Sequence, residues 1–412
     1  MGIPPATRDA AQAIINDVRA RQDVALLNLT ERFDGVALQS VRVAPEAIRN
    51  ALDQIEPGLR EILEEAIENV RRFHERQLPE SWTIDDGDDV VLGQRVVPVD
   101  RAGLYAPGGT AAYPSSVIMN AVPALVAGVG ELHLVSPPGR DGHPHPHVLA
   151  AAALLGIENI YAVGGAQAIA ALAFGTESIP AVDVIVGPGN EYVAAAKALV
   201  IGQVGIDSIA GPSEIVVLAD ESATPRYVAA DMLAQAEHDR LASAILVCTS
   251  DAFAREVERE LSEMLATLER KDIAADAIRN HGGAVVADSL DDAIAVVNEI
   301  APEHLEILTR DPWDVMTQVR HAGAIFLGSA SSEPVGDYFA GPNHVLPTNG
   351  SARFASALSV DVFLRKQSII CYSNNRLRKD GAKITRFAEA EGLGAHALAV
   401  QVRLDDLLSN EE

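Results

Sequence analysis

Two short runs carry residue types suited to metal and proton chemistry. In AQAEHD (residues 234–239), Gln235 and His238 stand three apart, on one face of the end of a helical stretch. Such a pair fits two ligands of a metal site, and an exposed polar helix end gives the same pattern. A metal would need further ligands, and Asp337, His344 and His396 lie in polar segments able to supply them. Imidazole, carboxylate and amide oxygen suit zinc or a harder divalent ion. In APEHLE (residues 301–306), Pro302 disfavours helix at Ala301, so a helix should end there and a strand start at Leu305. Glu303 and His304 then fall at the junction, where irregular backbone can turn both into one cleft. A histidine beside a glutamate is a natural acid/base pair near neutral pH. A solvated loop pair is the other reading of the same residues.

Four loops of small residues stand beside apolar runs: GLYAPGG (103–109), AVGGAQA (162–168), VGPGN (186–190) and AGPSE (210–214). Open α/β sheets bind ligands at the carboxyl ends of their strands, and glycine lets backbone approach a ligand closely. None is a GxGxxG fingerprint; GPGNEY comes nearest, with Tyr192 in the third glycine position. Spacing alone leaves ordinary turns as an open alternative to a nucleotide site. GHPHPH sets His143, His145 and His147 two apart, and this proline-rich run reads as a surface connector.

The elements that must position these residues follow from the apolar periodicity. The first 75 residues read as helices, with apolar positions at three- and four-residue intervals. Pro79 and IDDGDDV break that pattern, and residues 90–99 alternate like short strands. From Gly103 onward, β-branched runs (ELHLVS, NIYAVGG, VDVIVGPG, EIVVLAD, SAILVCTS, GGAVVAD, HLEILT, GAIFLG) alternate with Ala-rich helical segments. That alternation implies parallel βαβ units, and the strand count suits two doubly wound sheets. After Gly328 the rhythm stops, and SASSEPVGDYFAGPNHVLPTNGSARF reads as a long functional loop. Residues 384–407 read as a short helix, a Gly-rich turn and a strand.

At 412 residues, with 48% hydrophobic and 22% charged positions, the chain can bury large cores in two or three domains. A formal net charge of −26 argues against nucleic-acid and anionic-membrane partners. Two cysteines, Cys248 and Cys371, cannot make a disulfide framework. No signal peptide is visible, Gly2 lacks the Ser or Thr of a myristoylation motif, and no apolar run reaches the roughly 20 residues of a membrane helix. A soluble cytoplasmic protein is expected.

Taken together, RRFHERQ, GLYAPGGTAAYPSSVIMNAVPA, VGGAQAIAALAFGT, VGPGNEYVAAAK, VGIDSIAGPSEIVVLAD, LAQAEHD, NEIAPEHLEI, AGAIFLG, GDYFAGPNHVLPT and EAEGLGAH resemble the histidinol dehydrogenase family, from about residue 14 to residue 404. The resemblance implies a homodimer built on two incomplete Rossmann-like parallel-sheet domains, one inserted in the other. Residues 1–15 would be an N-terminal arm, 16–104 and 214–358 the first domain, 105–213 the second, and 359–412 a C-terminal dimerisation segment. It also implies NAD as cofactor, one zinc per subunit, and oxidation of L-histidinol to L-histidine through L-histidinal.

Carried over residue by residue, the zinc ligands would be Gln235, His238 and Asp337 from one chain, with His396 from the other. Tyr105, Gln167 and Asn190 would contact NAD. Ser213 and His344, with Glu391 reaching in from the other chain, would contact histidinol beside the zinc ligands and His304, while Glu303 and His304 would do the proton chemistry. A related dehydrogenase of another small polar alcohol should lack imidazole- and amine-binding residues, yet His344, Glu391 and His396 are present. A non-catalytic metal- or nucleotide-binding protein should have a damaged Glu-His pair, yet Glu303–His304 is intact. The chain departs from the pattern at Gln22, where Gly is usual, and at Leu125, Val184, Ala330 and Ser332.

Overall fold

In a computed structural model that describes residues 3–85, 87, 89–108 and 113–409, helices come first: Pro5–Arg21, Asp23–Asp34, Pro45–Asn50 and Leu59–Glu75. Gly2 and Gly109, singled out above, lie outside the described residues. The first helix spans most of the stretch expected as an arm. It buries Ala11, Ile15 and Val18 in one core with Ala168, Ile169 and Leu172.

The first two helices divide at Gln22, whose backbone stands at φ 53°, ψ −129°. Glycine occupies that region without strain, whereas a side chain there costs roughly 1–3 kcal/mol. Gln22→Gly is therefore expected to stabilise the protein by about 1 kcal/mol, after about 0.4–1 kcal/mol is returned to unfolded-chain entropy. Urea unfolding measures it. A lower midpoint in the variant would mean that the glutamine side chain more than offsets its backbone strain.

Among the described residues, thirteen strands follow in three sheets. The chain lays down β1 (Trp82–Asp85) and β2 (Val90–Pro98) antiparallel. Next come β3 (Arg101–Tyr105), β4 (Glu131–Ser136), β5 (Asn159–Ala162), β6 (Val184–Val186) and β7 (Gly205–Ile206), a parallel sheet in the order β5-β4-β3-β6-β7. A second parallel sheet takes β8 (Glu214–Ala219), β9 (Ser243–Cys248), β10 (Gly283–Val286), β11 (His304–Leu308) and β12 (Ala324–Leu327), in the order β10-β9-β8-β11-β12. Finally β13 (Leu364–Tyr372) pairs antiparallel with β2 over nine residues.

Strand order along both parallel sheets reverses beside the first strand laid down, between β3 and β6 and again between β8 and β11. These are the switch points at which open α/β sheets leave a crevice. The central strands β4, β8 and β11 are buried almost throughout, as parallel strands covered on both faces must be.

The chain divides into two compact units. Residues up to Leu78, with Val99–Phe363, hold both parallel sheets; Pro79–Pro98, with residues from Leu364 on, hold the antiparallel sheet. In that second unit the strand expected near the end is a helix, Gly394–Ser409, packed on Asn374–Ala390. Its Ala397 and Leu404 recur seven apart, a helical interval that short-range alternation masks. Gly381 permits the close packing, since a Cβ there would lie 2.7 Å from Leu404 Cδ1. Among the described residues no helix is long and apolar enough to cross a membrane.

Candidate active site

Pro302 ends the preceding helix as its spacing requires. The helix closes at Ile300, and Ala301 caps it in the left-handed region at φ 54°. β11 then starts at His304, one residue earlier than the spacing suggests. Both Glu303 and His304 are buried, so the solvated-loop alternative does not hold.

One residue on the neighbouring strand holds the pair. The Glu214 N–H donates to Glu303 Oε2 at 2.9 Å, and the Glu214 carbonyl lies 3.1 Å from His304 Nδ1. A carbonyl only accepts, so Nδ1 carries the proton and Nε2 is left as the free lone pair. Nε2 is buried without a hydrogen-bond partner, 3.9 Å from Asp337 Oδ1. Burial pulls the His304 imidazole down to about 3 and pushes the Glu303 carboxyl well above its ordinary range. The ring is thus neutral near pH 7, and the carboxyl is a stronger base than an exposed glutamate.

The Glu214 carboxylate ties this strand to the long loop, accepting from Asn349 N at 3.0 Å. Gly211 N donates to Thr348 Oγ1 at 2.7 Å, so AGPSE and the LPTNG turn are laced together, with Ser213 half-buried just before β8. AGPSE therefore lies at the amino end of its strand, whereas the other three small-residue loops follow theirs. The carboxyl-end expectation holds for the first sheet only. On the second sheet, the helix Pro225–Ala236 runs back from the carboxyl end of β8 and delivers Gln235 and His238 to the amino ends.

Gln235 is completely buried, and neither polar atom of its side chain has a hydrogen-bond partner. A buried polar atom left unpaired costs about 1–3 kcal/mol, so the exposed-helix-end alternative does not explain it. His238 is different, with 39% of its side chain exposed. Its Nε2 lies 3.9 Å from Glu333 Oε1. Among the described residues, His238, Glu333 and Asp337 offer ligand atoms all within 4.8 Å of one another.

Burial raises Asp337 to about 7 and Glu333 well above its usual value, where the Asp337 charge adds to the rise. Buried acids that repel one another, beside an unpaired amide, fit a divalent cation. His344 completes the cluster. Its Nδ1 lies 3.1 Å from the Asp337 carbonyl, and burial lowers the ring to about 4. Asn343 fixes the loop there, donating to Met119 O at 2.6 Å and accepting from Val345 N at 2.9 Å.

On the first sheet, the loops after β3 and β6 flank the switch point. A Cβ on Gly187, at φ 116°, would lie 2.2 Å from Tyr105 O, so only glycine fits where the two loops meet. Lys197 and Asp207 form a buried ion pair that fixes this turn. Lys197 Nζ donates to Gly187 O at 3.0 Å, and Asp207 Oδ2 accepts from Gly187 N at 2.8 Å. Asn190 caps the helix Glu191–Val200, its Oδ1 accepting from Tyr192 N and Val193 N, which leaves its amide N–H groups for a ligand. Tyr105 and Gln167 are both buried; the Tyr105 hydroxyl accepts from Gly165 N at 3.0 Å, and burial pushes it up to about 12.

Gln235, His238, Glu303, His304, Asp337 and His344 thus gather in one region, with Ser213 at the edge of β8. Glu391 and His396 belong to the second unit, exposed at the turn and the start of its last helix. His145 of the proline-rich run caps the helix Pro146–Leu154, and His147 pairs with Glu56 at 3.2 Å. Two residues escaped the motif reading, Glu306 and Glu333. Alternation along HLEIL already puts Glu306 on the face of His304, and Glu333 stands four before Asp337, one helical turn away.

Comparison with known proteins gives this arrangement its family. The family model for histidinol dehydrogenase matches residues 5–404. The histidinol dehydrogenase of Halalkalibacterium halodurans is 57% identical over 97% of this chain and 94% of its own length. That of Geobacillus kaustophilus is 56% identical over the same shares. The crystal structure of histidinol dehydrogenase from Elizabethkingia anophelis superposes with a TM-score of 0.93 at 38% identity, covering 99% of this chain and 94% of that one. Near-complete matches in sequence and in fold show that the chain belongs to the histidinol dehydrogenase family.

Proposed function

We propose that the protein oxidises L-histidinol to L-histidine through L-histidinal, with zinc and NAD bound, in a cytoplasmic homodimer whose active sites are shared between subunits. The observation that carries this reading is the acid/base pair Glu303–His304 beside the His238, Glu333 and Asp337 group.

Gln235, His238 and Asp337 would hold the zinc with His396 of the partner subunit, and the unpaired buried Gln235 amide fits that role. Zinc, when bound, supplies an anchor for the substrate imidazole and amine. NAD supplies the acceptor for the hydride in each of the two oxidations, seated by Tyr105, Gln167 and Asn190 on the first sheet.

The chain's own residues move the protons. His304 Nε2, kept free by the Glu214 carbonyl on Nδ1, takes the alcohol proton as the C–H hydride departs, leaving the aldehyde. Glu303 then takes a proton from water as its oxygen adds to the aldehyde carbon. The second C–H hydride leaves the resulting hydrate, and the carboxylate forms. Ser213 and His344, with Glu391 of the partner subunit, would orient the substrate, and a closed pocket would keep the aldehyde from escaping between steps.

The same reading assigns residues 105–213 to the dinucleotide and 359–412 to dimerisation. Exposed apolar side chains on the second unit support it, including Ile370 at 73% and Phe387 at 70% exposure. Both cysteines are free, in keeping with a reducing compartment.

Chelation followed by metal return tests the reading. NAD reduction that depends on L-histidinol is expected to be abolished by chelation and restored by zinc. Turnover that survives complete metal removal would overturn the assignment of Gln235, His238 and Asp337.

A further inference from the structure

Glu306 is fully buried at the point where the site's three supports converge. It lies two residues beyond His304 on β11, and so on the same face of the strand. Its Oε1 accepts from the Glu333 N–H at 2.8 Å, at the start of the turn that carries Glu333 and Asp337. Its carboxyl also stands beside that of Asp231, whose proximity helps to raise it. Asp231 stands one turn before Gln235 on the helix Pro225–Ala236. The proton chemistry above gives Glu306 no part, yet a glutamate buried in such a place is retained only with partners.

We propose that Glu306 is a positioning residue that fixes the spacing between the helix Pro225–Ala236, which leads to Gln235 and His238, and the turn carrying Asp337, so that Gln235, His238 and Asp337 meet one metal ion. Glu306 thus accepts from the Glu333 N–H on one side and stands against the Asp231 carboxyl on the other. Partners of this kind behind metal ligands typically tune affinity about 10- to 100-fold. The inference rests on the metal reading given above.

Zinc affinity, measured by competition with a chromophoric chelator on the full-length protein, tests it with three variants. Glu306→Gln keeps a carbonyl acceptor for Glu333 and an N–H donor for Asp231, so its affinity is expected within a few-fold of wild type. Glu306→Leu removes the Glu333 hydrogen bond and the polar contact with Asp231, and Glu306→Asp is one methylene too short to make both; each is expected to bind zinc about 10- to 100-fold more weakly.

Thermal melting of the metal-free forms separates lost folding from lost site geometry. If the leucine variant does not fold, the Asp and Gln variants decide between themselves. Wild-type affinity in Glu306→Asp or Glu306→Leu would overturn the positioning role. So would a glutamine variant as weak as the leucine variant, because charge rather than hydrogen-bond geometry would then be what matters. Wild-type protein that binds no zinc would instead overturn the metal reading beneath it.

Discussion

Replacing His304 with alanine is expected to lower kcat/KM for L-histidinol about 10²–10⁴-fold, the range by which a positioned general base contributes. Bound zinc should persist in the variant, because Gln235, His238 and Asp337 are untouched. The size of the effect follows from how completely the ring is prepared. The Glu214 carbonyl accepts from the Nδ1 N–H at 3.1 Å, and burial pulls the imidazole down to about 3. Nε2 faces Asp337 without a partner of its own. No solvent-exposed group can replace a base in so enclosed a position. Steady-state NADH formation, with zinc analysis and a melting curve on the same sample, measures the result. A loss smaller than tenfold would remove His304 as the base.

Glu303→Gln should fail differently. Glutamine fills the same space, but its amide oxygen is too weak a base to take a proton from water. The alcohol oxidation, driven by His304, should continue, while the aldehyde oxidation falls by about 10²–10⁴-fold. Burial makes Glu303 suited to this step, since desolvation, reinforced by the nearby Glu214, Glu333 and Asp337, raises its carboxyl well above the usual range. The Glu214 N–H at 2.9 Å opposes that rise and fixes Oε2 in place. A single-turnover experiment should show one fast NADH per site and a second that is strongly delayed. Equal slowing of both phases would mean that Glu303 serves the first oxidation too, or only holds structure.

Much of this was legible in the residues alone, for identifiable reasons. The two sheets follow from buried β-branched runs alternating with Ala-rich helices, a pattern that parallel strands impose on sequence. The junction at Glu303–His304 follows from Pro302, whose ring disfavours a continued helix at the preceding residue. The end of the chain misled because AHALAVQVRL alternates over short distances, whereas the helix it forms buries Ala397 and brings Leu404, seven residues on, against Gly381. Leu364–Tyr372 went unread as a strand because its Arg, Lys, Gln and Ser dilute the apolar signal, whereas its register with β2 is set by backbone pairing.

Within the site, motif spacing reached the proposed ligands but not what stands behind them. Glu306 and Glu333 are two of 58 acidic residues in a strongly acidic chain, so their type carries no signal. Burial, with their spacing from His304 and Asp337, distinguishes them. Gln22 shows the reverse. Its departure from the usual glycine gains meaning only when its φ of 53° is known.

The central claim is that one protein carries an alcohol through the aldehyde to the acid, and counting NADH tests it most directly. Purified, zinc-loaded protein should form two NADH for each L-histidinol consumed, with L-histidine as the product and no aldehyde released. A ratio of one with L-histidinal accumulating would contradict the four-electron oxidation, and a folded, zinc-loaded protein that leaves L-histidinol untouched would contradict the account as a whole.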